Sequence, residues 1–235
     1  MNGLAKTLLA FLVCAGTALA GGKPTVKAVF ASGDVPLNTD ASTAFWRSAG
    51  IASLEKDTQG KDVPNFHGEV RMRWTRDNLY FLYICPYDEL YLKPAPTTRE
   101  TNELWNWDVA EVFISANFRD IKLYKEFEVS PQGEWVDLDI DLHKPHHEVG
   151  WTWNSGFEKT ACIDSVAHRW YTALRIPFSA IDHRPAKAGN TFRMNLFLSE
   201  GPPSNHREVT WQPPMSSTFH TPERFGLLEL VKEKQ

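Results

Sequence analysis

A chain of 235 residues with 29 acidic against 25 basic side chains carries a formal net charge of -4. That balance argues against a nucleic-acid partner, whose phosphates reward clustered Lys and Arg. The length suits one large domain or, less readily, two small ones.

The chain opens with the pattern of a leader peptide. Lys6 supplies a positive start, Leu8 to Val13 form an apolar run, and Ala18-Leu19-Ala20 before Gly21 fits the small-x-small cleavage rule. Residues 1–20 are therefore expected to be removed near Ala20, leaving an exported chain, periplasmic or extracellular. Cys14 as a lipidated residue is the weaker reading, because Val13 is too large for the position before it. No later run approaches the 20 or so apolar residues of a membrane span. Residues 21–235 show no linker or repeat and read as a single domain. Cys85 and Cys162 could pair in an oxidising compartment, or stand free in apolar strands, where unpaired Cys is also common.

From there the pattern is one of strands. Residues 70–74 alternate, Arg76-Asp77-Asn78 makes a turn, and residues 79–85 are apolar on both faces, as in the buried strand of a hairpin. Further strands are predicted over residues 109–114, 124–129, 135–142, 157–163, 170–176 and 192–199, with Ser130-Pro131-Gln132-Gly133 among the turns. Helix is limited to single turns near Ala44-Phe45-Trp46 and at Pro177 to Ile181. Many short strands spaced by turns predict an all-β, two-sheet antiparallel β-sandwich of jelly-roll or immunoglobulin-like type.

The stretch Glu103-Leu104-Trp105-Asn106-Trp107-Asp108-Val109-Ala110-Glu111 places two tryptophans beside carboxylates. In extended backbone Trp105, Trp107 and Glu111 share one face. An indole offers a flat apolar surface to the C–H face of a sugar ring, and a carboxylate accepts bonds from its hydroxyls. Core packing is the competing reading for any one tryptophan. Farther on, Trp135 to His143 alternate so that Val136, Leu138, Ile140 and Leu142 face the core, with Asp137, Asp139 and Asp141 opposite. Three carboxylates on one face suit Ca²⁺, or form a solvated strand face. His143-Lys144-Pro145-His146-His147 fits no zinc or copper spacing and reads as a solvated loop. Asp108, Glu111, Glu126 and Glu128 could be arranged as a glycosidase pair, although the chain carries no nucleophile elbow, phosphate loop or HExxH.

Taken together, five segments carry a resemblance: residues 74–80 (WTRDNLY), 104–114 (LWNWDVAEVFI), 126–133 (EFEVSPQG), 175–178 (RIPF) and 219–226 (FHTPERFG). Their order and sequence resemble the family 9 carbohydrate-binding modules and their relatives. The resemblance implies a non-catalytic β-sandwich that clamps a sugar between two aromatic rings and carries Ca²⁺ in structural sites. It places one ring on Trp105, a hydrogen-bonding acid on Glu111 and the second ring on Phe219. The family's arginine falls on Glu128 and its neighbouring asparagine on Ser130, so a cationic donor has become an acceptor. Trp107 is left without an assigned role.

The leading expectation is thus an exported protein that binds a mono-, oligo- or polysaccharide, with no organic cofactor. The alternatives are a glycan hydrolase using Glu111 with a second carboxylate, a haem module using Met72, Met194, Met215 or a histidine as axial ligand, and an interaction domain that has lost its sugar.

Overall fold

The computed structural model describes residues 22–233 and, at residues 147 and 148, the backbone alone. The leader expected over residues 1–20, its cleavage point and Cys14 lie outside the described residues. Twelve strands follow in chain order: β1 (Thr25–Phe30), β2 (Gly50–Leu54), β3 (Gly68–Trp74), β4 (Asn78–Pro86), β5 (Val109–Ser115), β6 (Leu123–Val129), β7 (Trp135–Asp141), β8 (Glu158–Asp164), β9 (Arg169–Pro177), β10 (Thr191–Glu200), β11 (Arg207–Thr210) and β12 (Gly226–Val231). One α-helical turn, α1 (Ala44–Arg47), and a 3-10 turn at Phe178–Ala180 stand where single turns are expected. Among the described residues no helix is long and apolar enough to cross a membrane.

All-β is borne out, but two separate antiparallel sheets are not what the pairing shows. Hydrogen bonds run in one path, β7-β6-β5-β10-β12-β1-β3-β4-β9-β8, with β11 added to β10 and β2 to β3. The reason is β1, which pairs in parallel with both β12 and β3 and so joins two antiparallel halves into one mixed sheet. Sequence reading overlooked β1, β2, β11 and β12. The first and last of these, TVKAVF and GLLELV, lack the strict alternation or continuous apolar run that marks a strand locally. Their partners are supplied by chain ends some two hundred residues apart.

The sheet bends round so that both halves contribute to one core. Ala110, Val112, Ile114 and Phe127 from β5 and β6 pack in the same cluster as Met72, Leu79, Phe81, Tyr83 and Leu174 from β3, β4 and β9. A second cluster lies on the opposite face of β5, β6, β7 and β10 and holds Val109, Phe113, Tyr124, Val136, Leu138, Ile140 and Phe197. This second cluster explains why β5 is buried at every position: both of its faces are covered. Cys85 is buried and Cys162 exposed, and both are free.

Close backbone approach constrains Gly50 most tightly. A Cβ on Gly50 would lie 1.7 Å from the Lys27 carbonyl oxygen, where β2 runs against β1. Gly50→Ala is therefore expected to cost about 3 kcal/mol, measured as a fall in the denaturation midpoint.

Candidate functional site

The alternation of β5 puts Glu111 and Phe113 on the face of the second cluster, while Ala110, Val112 and Ile114 point to the main core. Register does the rest. Glu111 lies opposite Glu128 of β6 and Phe197 of β10, and Phe113 lies opposite Glu126. Three glutamates thus meet on one patch of sheet, each offering a carboxylate oxygen within 4.8 Å of the others.

Their surroundings are unusual for charge. Glu111, Glu126 and Glu128 are 2%, 3% and 0% exposed. Glu111 Oε1, Glu126 Oε2 and both oxygens of Glu128 have no hydrogen-bond partner. Burial, reinforced by the neighbouring carboxylates, holds Glu111 and Glu128 well above the ordinary range. Burial likewise pushes Glu126 up to about 7. Like charges directly across a ladder are destabilising, so this arrangement is one that packing alone would not favour.

Above the patch is a cavity of about 490 Å³ lined by Trp105, Phe219, Phe113 and Leu138 on its apolar sides and by Glu111, Glu126, Glu103, Glu208 and Ser199 among its polar ones. Trp105 sits on a 3-10 turn, Leu104–Asn106, rather than on extended backbone. Phe219 lies flat on Phe197, centroids 4.2 Å apart and planes 5° from parallel. His220 closes the rim, bonded to the Tyr124 hydroxyl and stacked 5.4 Å from Phe113.

Trp105, Glu111 and Phe219, expected together from sequence, do line one cavity. The turn at residues 104–106 breaks the extended geometry that would have put Trp107 with them. Trp107 instead packs on Tyr91, 4.7 Å between centroids. Asp108 is buried and accepts bonds from the backbone N–H of Tyr91 (2.8 Å) and Gly201 (2.7 Å), and burial raises it to about 7. Glu128 adjoins Glu111 and Glu126 but is not among the cavity-lining residues. Ser130 donates to Glu134 within the β6–β7 turn, outside the cavity. Phe113, Ser199, Glu208 and His220 are among the lining residues that the sequence did not single out, and Glu126 entered there only as part of a possible glycosidase pair. For Phe113 and Glu126 the signal was present, since each is two residues from a named site residue on its own strand.

The aspartates of β7 do not form a cage. Asp137 is buried on the main-core side of the strand and accepts the Ser155 N–H at 2.6 Å. Asp139 pairs with Lys125 (2.6 Å), and Asp141 with Lys144 (3.3 Å) and the His143 N–H. Ca²⁺ takes six to eight oxygens, and these three carboxylates, two held by lysines and one by a backbone N–H, do not gather to supply them. Among the described residues, Glu111, Glu126 and Glu128 are the one carboxylate trio near enough together to hold a cation. A larger groove of about 870 Å³ runs beside Lys125, Lys144 and Arg184. Its lysines and arginine are paired, Lys125 with Asp139, Lys144 with Asp141 and Arg184 with Asp182 at 2.7 Å. Met72 and Met194 are fully buried in the main core.

Comparison with known proteins agrees with the geometry. The family model described as carbohydrate family 9 binding domain-like matches residues 39–233. Among solved structures, a family 9 carbohydrate-binding module from Caldicellulosiruptor kristjanssonii in complex with cellotriose superposes with TM-score 0.61 at 13% identity, covering 90% of this chain and 96% of that one. A candidate carbohydrate-binding protein from Bacteroides uniformis gives TM-score 0.68 at 16% identity, covering 89% of this chain and all of that one. By sequence, an "Extracellular protein" of Arthroderma benhamiae is 23% identical over 156 residues, 61% of this chain and 70% of the relative. An endo-1,4-beta-xylanase A of Thermotoga neapolitana is 20% identical over 188 residues, 79% of this chain but only 15% of that enzyme. With a family model matched across most of its described length, this chain belongs to the carbohydrate family 9 binding domain-like family.

Proposed function

We propose that the protein is an exported, non-catalytic saccharide binder that holds a sugar ring between Trp105 and Phe219. The observation that carries this reading is that Trp105, Phe219 and the carboxylates of Glu111 and Glu126 line the same cavity. Its volume, about 490 Å³, lies in the range of small-ligand sites. The indole and the phenyl ring present apolar faces to ring C–H groups, and the carboxylates accept from hydroxyls. Relatives of this fold have been seen with cellotriose and with glucose, and one sequence relative is extracellular by name.

Binding is favoured over hydrolysis by the placement of the carboxylates. A glycosidase needs its two acids on either side of the scissile bond. Here Glu111, Glu126 and Glu128 lie side by side on one sheet face.

The test is a titration of the protein with mono- and oligosaccharides, followed by tryptophan fluorescence. A saturable change is expected; its absence with every sugar, from folded protein, would discard the reading. Phe219→Ala should weaken binding about tenfold, as one face of the clamp is lost, whereas hydrolysis of any oligosaccharide in the panel would favour the enzyme alternative.

A further inference from the structure

The floor of the cavity gathers acidic groups that a neutral ring does not balance. Four carboxylates, those of Glu103, Glu111, Glu126 and Glu208, line it, and no lysine or arginine does. Glu208 has His206 at 3.6 Å. Glu111, Glu126 and Glu128 have no such ion pair among the described residues, and four of their oxygens are buried without any partner. A buried carboxylate left in that condition is costly. What it lacks is a positive centre with several donors, delivered from the cavity side.

Building on the saccharide reading of this cavity, we propose that the occupant is an amino sugar, whose protonated amine sits over Glu111 and Glu126, with Glu128 directly behind them, while its ring lies between Trp105 and Phe219. An alkylammonium carries three N–H donors and no acceptor, enough for both carboxylates that line the cavity. The Glu111 and Glu126 oxygens, within 4.8 Å of each other, can both be reached by one nitrogen at about 2.8 Å, the length of a charge-assisted bond. A calcium ion asks for six to eight oxygens, about twice what three single contacts provide. An N-acetylated sugar would bring a neutral, bulkier amide to the same floor and leave the carboxylates unmatched.

The experiment compares three oligosaccharide series of equal length and linkage that differ only at C2: β-1,4 glucosamine, N-acetylglucosamine and glucose oligomers. The full protein is titrated at about pH 7, where Glu126 ionises and which is still below the ordinary range of an amine. The amine series is expected to bind at least tenfold more tightly than the other two, with a preference that shrinks as salt is raised. Glu128→Gln, and separately Glu126→Gln, should bring the amine-to-hydroxyl affinity ratio towards one, with thermal melts confirming that each variant is folded. Glucose oligomers binding as well as or better than glucosamine oligomers would overturn the amino-sugar proposal and leave saccharide binding standing. No binding in any series would remove both. Calcium chloride alone binding at micromolar concentration, and failing to bind Glu128→Gln, would assign the floor to a metal ion and overturn the proposal as well.

Discussion

Trp105→Ala is expected to abolish most saccharide affinity, by about 2 kcal/mol or roughly 30-fold in Kd, while leaving the fold in place. Trp105 is partly buried at the edge of the second apolar cluster, not within it. Its removal therefore strips the cavity of a wall but opens no deep void, and the stability loss should stay near 1 kcal/mol. Trp107→Ala is the informative comparison. That indole covers Tyr91 and does not line the cavity, so its loss should slacken the 91–108 segment and leave affinity within about twofold. Calorimetric titration and thermal melts of the two variants separate the roles. Equal affinity losses would mean that the cavity is not where the sugar sits.

The contrast between these two tryptophans also marks how far the sequence could be read. Periodicity was sufficient for most of β3 to β10, where apolar residues recur at alternate positions, as Val136, Leu138 and Ile140 do in β7; β8, EKTACID, has no buried residue and is placed by its pairing with β9. Periodicity was insufficient for β1 and β12, whose place depends on pairing between the chain's two ends. Trp105, Glu111 and Phe219 were legible because the family resemblance fixes their order along the chain. Trp107 was not, because one 3-10 turn at Leu104–Asn106 rotates the backbone between two neighbouring residues. Nor was the carboxylate trio. Glu126 and Glu128 alternate with Phe127, so their common face is written in β6, but their meeting with Glu111 requires the β5–β6 register. Likewise the aspartates of β7 do alternate as expected, and it is the second apolar cluster that turns their face towards the main core, burying Asp137.

That trio sets the second large effect, on stability against pH. Glu111, Glu126 and Glu128 are all raised in the folded protein by burial, and Glu111 and Glu128 also by the neighbouring carboxylates. A carboxyl with a raised folded pKa binds more protons folded than unfolded, so its contribution is fully present below the unfolded value, about 4.5, and is lost as pH climbs through the folded one. Glu126 alone, moved from 4.5 to about 7, corresponds to about 3 kcal/mol, shared with its two neighbours because the three titrate together. Asp108, raised to about 7 by burial, and His206, raised by Glu208, act in the same direction over this window. The lowered carboxyls, such as Asp34 and Asp182, lose their contribution only in more acidic solution. Ligand-free protein is thus expected to be more stable at pH 5 than at pH 8, the reverse of acid-sensitive proteins whose carboxylates are paired. Glu128→Gln removes one buried charge and supplies an amide donor to Glu111 and Glu126, so it should stabilise the protein at pH 8 by about 2 kcal/mol and flatten the profile. Urea denaturation at pH 5, 6.5 and 8 on both proteins decides the matter. A wild-type profile that rises with pH, or a variant profile parallel to it, would show that the three carboxyls are not the groups that titrate.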